Sequence, residues 1–93
     1  MRHRLPTFAQ LRDHLIEEYG CTEKRIDILH PVTKRPVRGG CFFRQVAGEK
    51  QPRKYPYMDD DIGPVVSEYL LRHLCGKFAV DADEVLDWFD RHE

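Results

Sequence analysis

In Arg25-Ile26-Asp27-Ile28-Leu29-His30-Pro31 the apolar residues stop recurring every three or four positions and begin to alternate. Period two marks a half-buried strand, and His30-Pro31 ends it. Val32-Thr33-Lys34-Arg35-Pro36 is a polar connection, after which Val37 to Val46, through Cys41, Phe42 and Phe43, is again β-prone. Gly39-Gly40 within that stretch predicts a bulge or sharp bend, because glycine weakens a regular strand. Ala47 to Pro52, with Gly48, reads as a loop. Lys54-Tyr55-Pro56-Tyr57-Met58 is a third strand, which Pro56 confines to a sheet edge or a strand end because it has no amide hydrogen.

On both sides of this β-rich middle the period is helical. Upstream, Thr7-Phe8-Ala9-Gln10 has the form of a capping box, and Phe8, Leu11, Leu15 and Tyr19 form one apolar stripe that Gly20 ends. Downstream, Asp59-Asp60-Asp61 leads into Ile62-Gly63-Pro64, where the proline suits a first helical turn. Val66, Leu70, His73 and Leu74 give that helix a stripe, with Val65 and Tyr69 alongside, and Gly76 is placed to stop it. Asp81-Ala82-Asp83-Glu84 reads as a second capping box, with Val80 and Val85 at the positions of a hydrophobic staple. Val85, Leu86, Trp88 and Phe89 follow on the last helix.

Helix, three short strands, helix, helix is the predicted order. The links between strands are too short for parallel crossovers, so the expected fold is a single α+β domain over residues 1–93. Its three-stranded antiparallel sheet would carry helices on one face, in α-β-β-β-α-α order. Ninety-three residues suit one modest core, and 41% hydrophobic with 33% charged residues is a globular composition. No run reaches the roughly 20 apolar residues of a membrane span, and Met1-Arg2-His3-Arg4-Leu5-Pro6 lacks the apolar stretch of a signal peptide. A cytoplasmic location is the expectation. Cys21, Cys41 and Cys75 are odd in number with no C-x-x-C pair, which predicts free, mostly buried thiols rather than disulfides or a zinc site. Neither a metal nor another cofactor is expected.

Charge is unevenly distributed. From Lys24 to Lys54 nine Lys or Arg stand against two acids, Asp27 and Glu49, giving about +7. The remainder holds six basic and fourteen acidic residues, about −8, and the two parts make the formal −1. Lys and Arg neutralise phosphates and exposed rings stack on bases, so Lys34, Arg35, Arg38, Phe42, Arg44, Arg53, Lys54 and Tyr55 are the candidate nucleic-acid-binding residues. Against this stands an interaction surface for a partner protein or a homodimer, or a basic sheet complementing its own acidic helices. The aromatic residues also have a plain reading as core.

The order of elements resembles the small HicA-type toxins, ribonucleases with a fold similar to a double-stranded-RNA-binding domain. The similarity runs from about Phe8 to Phe89: a first helix closed by Gly20, the glycine-led strand Gly39-Gly40-Cys41-Phe42-Phe43-Arg44, a loop with Gly48, a third strand closing near Pro56, and Gly63-Pro64 before the next helix. The resemblance implies that fold and, in the family, RNA cleavage. The family's glycine-led strand carries the histidine on which that chemistry depends, and here Cys41 and Phe42 occupy the neighbourhood. No histidine lies between His30 and His73, and neither Phe nor an unactivated Cys replaces a general base. The reading therefore favours non-catalytic binding over catalysis, with nucleic acid, RNA above all, before a protein partner.

Other constellations are weaker. Asp59-Asp60-Asp61 lacks the spread of a calcium loop and suits a helix N-terminus. Cys41 lies near Arg38 and Arg44, which favour a thiolate, yet no His or Asp completes a dyad, so a buried structural thiol is expected. His73 reads as a hydrogen-bonded residue at the core edge. Gly39-Gly40 is followed by no G-K-[ST] and makes no phosphate loop.

Overall fold

The computed structural model describes residues 4–59 and 62–92, which leaves Asp60 and Asp61 of the acidic triplet outside the described residues. Its elements are α1 (Phe8–Tyr19), β1 (Thr22–Leu29), β2 (Pro36–Arg44), β3 (Arg53–Met58), α2 (Glu68–Lys77) and α3 (Ala82–Arg91). This is the expected α-β-β-β-α-α order, with one antiparallel sheet in which β2 lies between β1 and β3.

The first helix begins and ends on the residues that predict it. The Gln10 amide donates to Thr7 Oγ1 at 3.1 Å and the Thr7 amide donates to Gln10 Oε1 at 2.9 Å, satisfying two amides that a helix start otherwise leaves unpaired. At the other end Gly20 takes φ 71°, and the Cys21 amide returns to the Leu15 carbonyl.

Two element starts and one strand interior differ from expectation. β1 starts at Thr22 rather than Arg25, because Thr22, Glu23 and Lys24 pair with Phe43, Phe42 and Cys41 along the full length of β2. Gly39-Gly40 makes no bulge: the register runs unbroken from Thr22↔Phe43 to Leu29↔Pro36 and from Gly39↔Met58 to Arg44↔Arg53. The glycines serve close approach instead, since a Cβ on Gly40 would fall 2.5 Å from the Tyr57 hydroxyl, which crosses the strand there. α2 starts at Glu68 and not at Pro64. The Val66 amide is taken by the Pro6 carbonyl at 2.9 Å, which holds the chain out of a helix until Ser67 caps the Leu70 amide at 3.1 Å. Its buried stripe is consequently Leu71, Leu74 and Cys75, and Gly76 lies inside the last turn while Ala79, at φ 58°, supplies the left-handed residue beyond it.

α3 is capped by Asp81, but as a single cap rather than a box. Asp81 accepts from the Asp83 amide at 3.0 Å, and Glu84 accepts from the Tyr19 hydroxyl at 3.2 Å instead of reaching back. Val80 and Val85 are both buried, as a staple requires.

Alternation along the strands sorts the sheet into two faces. Glu23 and Arg25, Gly40, Phe42 and Arg44, and Arg53, Tyr55 and Tyr57 point toward the helices. Phe42 is fully buried there, its ring 5.3 Å from Tyr57 and 5.7 Å from Phe8 of α1. Leu11, Leu15, Leu71, Leu74, Phe78, Val85, Leu86 and Phe89 complete the core on that side. Cys21, Cys41 and Cys75 are free and buried. Burial pushes the Cys75 thiol up to about 12. No described helix is long and apolar enough to cross a membrane.

Candidate nucleic-acid interface

The opposite face of the sheet carries Thr22, Lys24, Ile26 and Ile28 from β1, Val37, Gly39, Cys41 and Phe43 from β2, and Lys54, Pro56 and Met58 from β3. No carboxylate is among them. The strand acids fall on the other pleat: Glu23 accepts from the Tyr57 hydroxyl at 2.8 Å, and Asp27 stands opposite Arg38. Phe43 lies half-buried on the central strand, with Thr22 directly across on one side and Lys54 on the other. Lys24 flanks the neighbouring Cys41, so the two lysines stand on the two edge strands offset by two residues, about 12 Å apart from the usual strand spacing and rise.

Beyond β3 the β1–β2 hairpin continues alone. Its loop is held by the His30 amide donating to the Arg35 carbonyl at 3.0 Å and the Lys34 amide to the His30 carbonyl at 2.9 Å, with Lys34 at φ 59°. His30 Nδ1 accepts from the Val32 and Thr33 amides at 3.1 and 3.2 Å, which puts the ring proton on Nε2 and makes His30 a turn-holding residue. Leu29 and Val32 are exposed at this tip beside Lys34 and Arg35.

The basic residues divide into two groups. Arg25 makes a two-pronged pair with Asp59 at 2.7 and 3.0 Å, which raises its own pKa and lowers that of Asp59. Arg44 donates from Nε to the Tyr19 carbonyl at 3.1 Å and from Nη1 to the Phe78 carbonyl, fastening the ends of α1 and α2. Arg53 pairs with Glu49 at 2.7 Å and donates to the Lys77 carbonyl at 3.1 Å. Lys24, Lys34, Arg35, Arg38, Lys50 and Lys54 make no side-chain hydrogen bond or ion pair among the described residues.

Of the eight candidate residues, Lys34 and Arg35 sit exposed on the hairpin loop, Arg38 is exposed at its base, and Lys54 projects from the open face. Phe42 belongs to the core and has no ring face to offer a base. Arg44 and Arg53 hold helix ends, where a cation answers the partial negative charge of unpaired carbonyls. Tyr55 faces the helices, half-buried, with its hydroxyl 3.3 Å from Nδ1 of the exposed His73. Lys24 and Phe43 are the residues that sequence reasoning left out of the site. A regular alternation through Gly39-Gly40 would have found them, since it puts Phe43 on the face that Phe42 leaves.

Cys41, where the HicA-type pattern has its histidine nearby, is buried between Lys24 and Pro56 on the open face. Among the described residues no cluster of three or more His, Cys, Asp or Glu is arranged to hold a metal ion. No protein-family model, no curated protein and no solved structure matches this chain, so its resemblance to HicA-type toxins rests on residue pattern and element order alone.

Proposed function

We propose that this chain is a small non-catalytic binding domain that takes nucleic acid, RNA first, as a single strand across the open face of its sheet. The observation that carries this reading is a face without a carboxylate among the described residues, on which half-exposed Phe43 has Lys54 directly across on one edge strand and Lys24 diagonally across on the other. A ring at the centre offers a stacking platform of the kind single-stranded binders use, and unpaired lysines on both edge strands offer charge to the backbone. Lys34 and Arg35 add positive charge at the hairpin loop, while Arg38 stands on the other pleat, opposite Asp27. Free thiols fit a reducing compartment such as the cytoplasm.

Fluorescence anisotropy with single- and double-stranded RNA and DNA at 50 and 200 mM salt tests this directly. Single-stranded RNA is expected to bind, with affinity falling steeply as salt rises because each neutralised phosphate releases a counterion. Phe43→Leu keeps an apolar side chain but removes the stacking ring, and should weaken single-stranded binding by about 1–3 kcal/mol. Absence of binding to every probe at 50 mM salt sinks the reading.

A protein partner is the second reading, favoured by Ile26, Ile28, Val37 and Met58 on the same face and by exposed Leu29 and Val32 at the hairpin tip. A partner fitting it presents an apolar patch ringed by carboxylates. A protein complex whose affinity falls only shallowly with salt over the same range would favour it over nucleic acid, because screening of carboxylate pairs is weaker than the counterion release of a polyanion.

A further inference from the structure

His14, in the middle of α1, is 5% exposed, and neither of its ring nitrogens has a hydrogen-bond partner among the described residues. Buried polar atoms are nearly always paired, so an imidazole with two orphan nitrogens calls for an explanation. The ring is wedged between helices, with its centroid 4.3 Å from Trp88, 5.2 Å from Phe89 and 5.6 Å from Tyr19. Trp88 has a second imidazole against it, since His92 stacks on it at 4.0 Å with the planes 10° apart.

The ring also forms the wall between two surface cavities. One, of about 330 Å3, is lined by Leu5, Pro6, Trp88 and Phe89 with Glu17 and His92 at its polar side. The other, of about 120 Å3, is lined by Glu18, Tyr19, Glu84 and Arg91 together with Trp88. There is room on either side for the ring to leave.

We propose that His14 is an acid-operated latch between α1 and α3: its neutral ring fills the wedge, and its protonated ring swings out toward Glu17 and Glu18 and uncovers one face of Trp88. An imidazolium in that wedge would be buried with two N–H donors unpaired, a cost that the attraction of the ring faces offsets only in part. Glu17 and Glu18 lie three and four positions along the same helix, where i,i+3 and i,i+4 partners meet. From α3, Glu84 adds attraction but is engaged by the Tyr19 hydroxyl, while Arg91 adds repulsion. His92 repels a charged His14 from beyond α3, and the larger cavity is bordered by Arg4 of the lead-in, of the same sign as a charged His14, and by Asp13 of α1, of the opposite sign. Burial holds His14 below its ordinary value of 6.5, against the pull of Glu18 and Glu17. The folded state then binds fewer protons than the unfolded chain, so stability is complete above about pH 6.5 and declines as pH falls toward the folded value.

Trp88 is the sole tryptophan and reports on the latch directly. Emission maximum and acrylamide quenching are followed from pH 7.5 to 5.0, with far-UV circular dichroism in parallel. The parent should show a reversible red shift and stronger quenching with a midpoint below 6.5, without loss of helical signal. His14→Phe should abolish the transition and His92→Gln should retain it. A transition that survives in His14→Phe, that is missing from the parent, or that coincides with loss of helical signal overturns the proposal. Should His14→Phe fail to fold, ring-proton NMR of the parent decides: titration of His14 below 6.5 in step with Trp88 emission supports the latch, and titration at or above 6.5 refutes it.

Discussion

On the helix-covered side of the sheet Arg25, Arg44 and Arg53 all have partners, and on the open side Lys24 and Lys54 have none among the described residues. The two sets alternate along the same three strands and are indistinguishable in a count of charge. What separates them is which pleat they occupy. The covered face meets the carbonyls at the ends of α1 and α2, which arginine's fork of donors can reach, whereas the open face meets solvent. The adjacent pair Phe42 and Phe43 divides in the same way, one ring filling the core and the other lying on the surface. A basic, aromatic strand region is therefore two structures back to back: beneath the helices the arginines are engaged, and the strand cations unpaired among the described residues are Lys24 and Lys54 on the open face and Arg38 at the hairpin base.

The largest expected effect tests that division in the aromatic pair. Phe42→Ala should lower stability by about 3–5 kcal/mol, because it empties a fully buried site against Phe8 and Tyr57. Phe43→Leu should cost less than about 1.5 kcal/mol, as an apolar exchange at a half-exposed position. Urea denaturation of the two variants measures both, and similar losses would mean that the open face is covered in solution.

Arginine and lysine make the next contrast. Arg44→Met removes charged donors from two helix-terminal carbonyls and should cost about 2–3 kcal/mol, whereas Lys54→Met, one strand over, should stay within about 0.5 kcal/mol. If Arg44→Met leaves the denaturation midpoint unchanged, Arg44 is not fastening the helices and becomes free to contact a partner.

The elements were legible in the sequence where the deciding contacts are local. Thr7 with Gln10, Gly20, Asp81, the Val80–Val85 staple and the edge position of Pro56 all act within a few residues, or through the missing amide of one. The misreadings share a different cause. Gly39-Gly40 looks like a bend until Tyr57, on another strand, is seen lying across it. Pro64 looks like a helix start until Pro6, near the other end of the chain, takes the Val66 amide. Arg44 and Arg53 look like phosphate ligands until the folded chain brings the carbonyls of Tyr19, Phe78 and Lys77 to them. The α+β class and the order of elements followed from periodicity and link length, but the free basic residues could be told from the engaged ones only by tertiary contacts.

A third, smaller effect probes the polar seam of the covered face. The Tyr57 hydroxyl donates to Glu23 at 2.8 Å and accepts from Arg25 at 2.9 Å, and the other Glu23 carboxylate oxygen is buried with no hydrogen-bond partner among the described residues, only the Arg12 guanidinium at 3.7 Å. Tyr57→Phe keeps the ring and leaves Glu23 still less satisfied, so a loss of about 1–2 kcal/mol is expected in urea. A neutral result would mean that water reaches Glu23 freely and that the covered face is wetter than its packing indicates.

The smallest expected effect on stability is the most informative for function. Lys24→Gln with Lys54→Gln removes two charges from the open face and breaks no hydrogen bond or ion pair among the described residues, so the denaturation midpoint should move by less than about 0.5 kcal/mol. If both lysines neutralise phosphates, the same variant should flatten the salt dependence of single-stranded RNA binding by about 1.4 in the log–log slope, roughly 0.7 for each phosphate left without its lysine. Arg25 offers the internal control, because its charge is already engaged by Asp59: Arg25→Gln should leave that slope where it is. An equal change from Arg25→Gln and from the lysine pair would mean that binding senses total charge rather than a face, and the distinction between the two sides of the sheet would fail at the point where it bears on function.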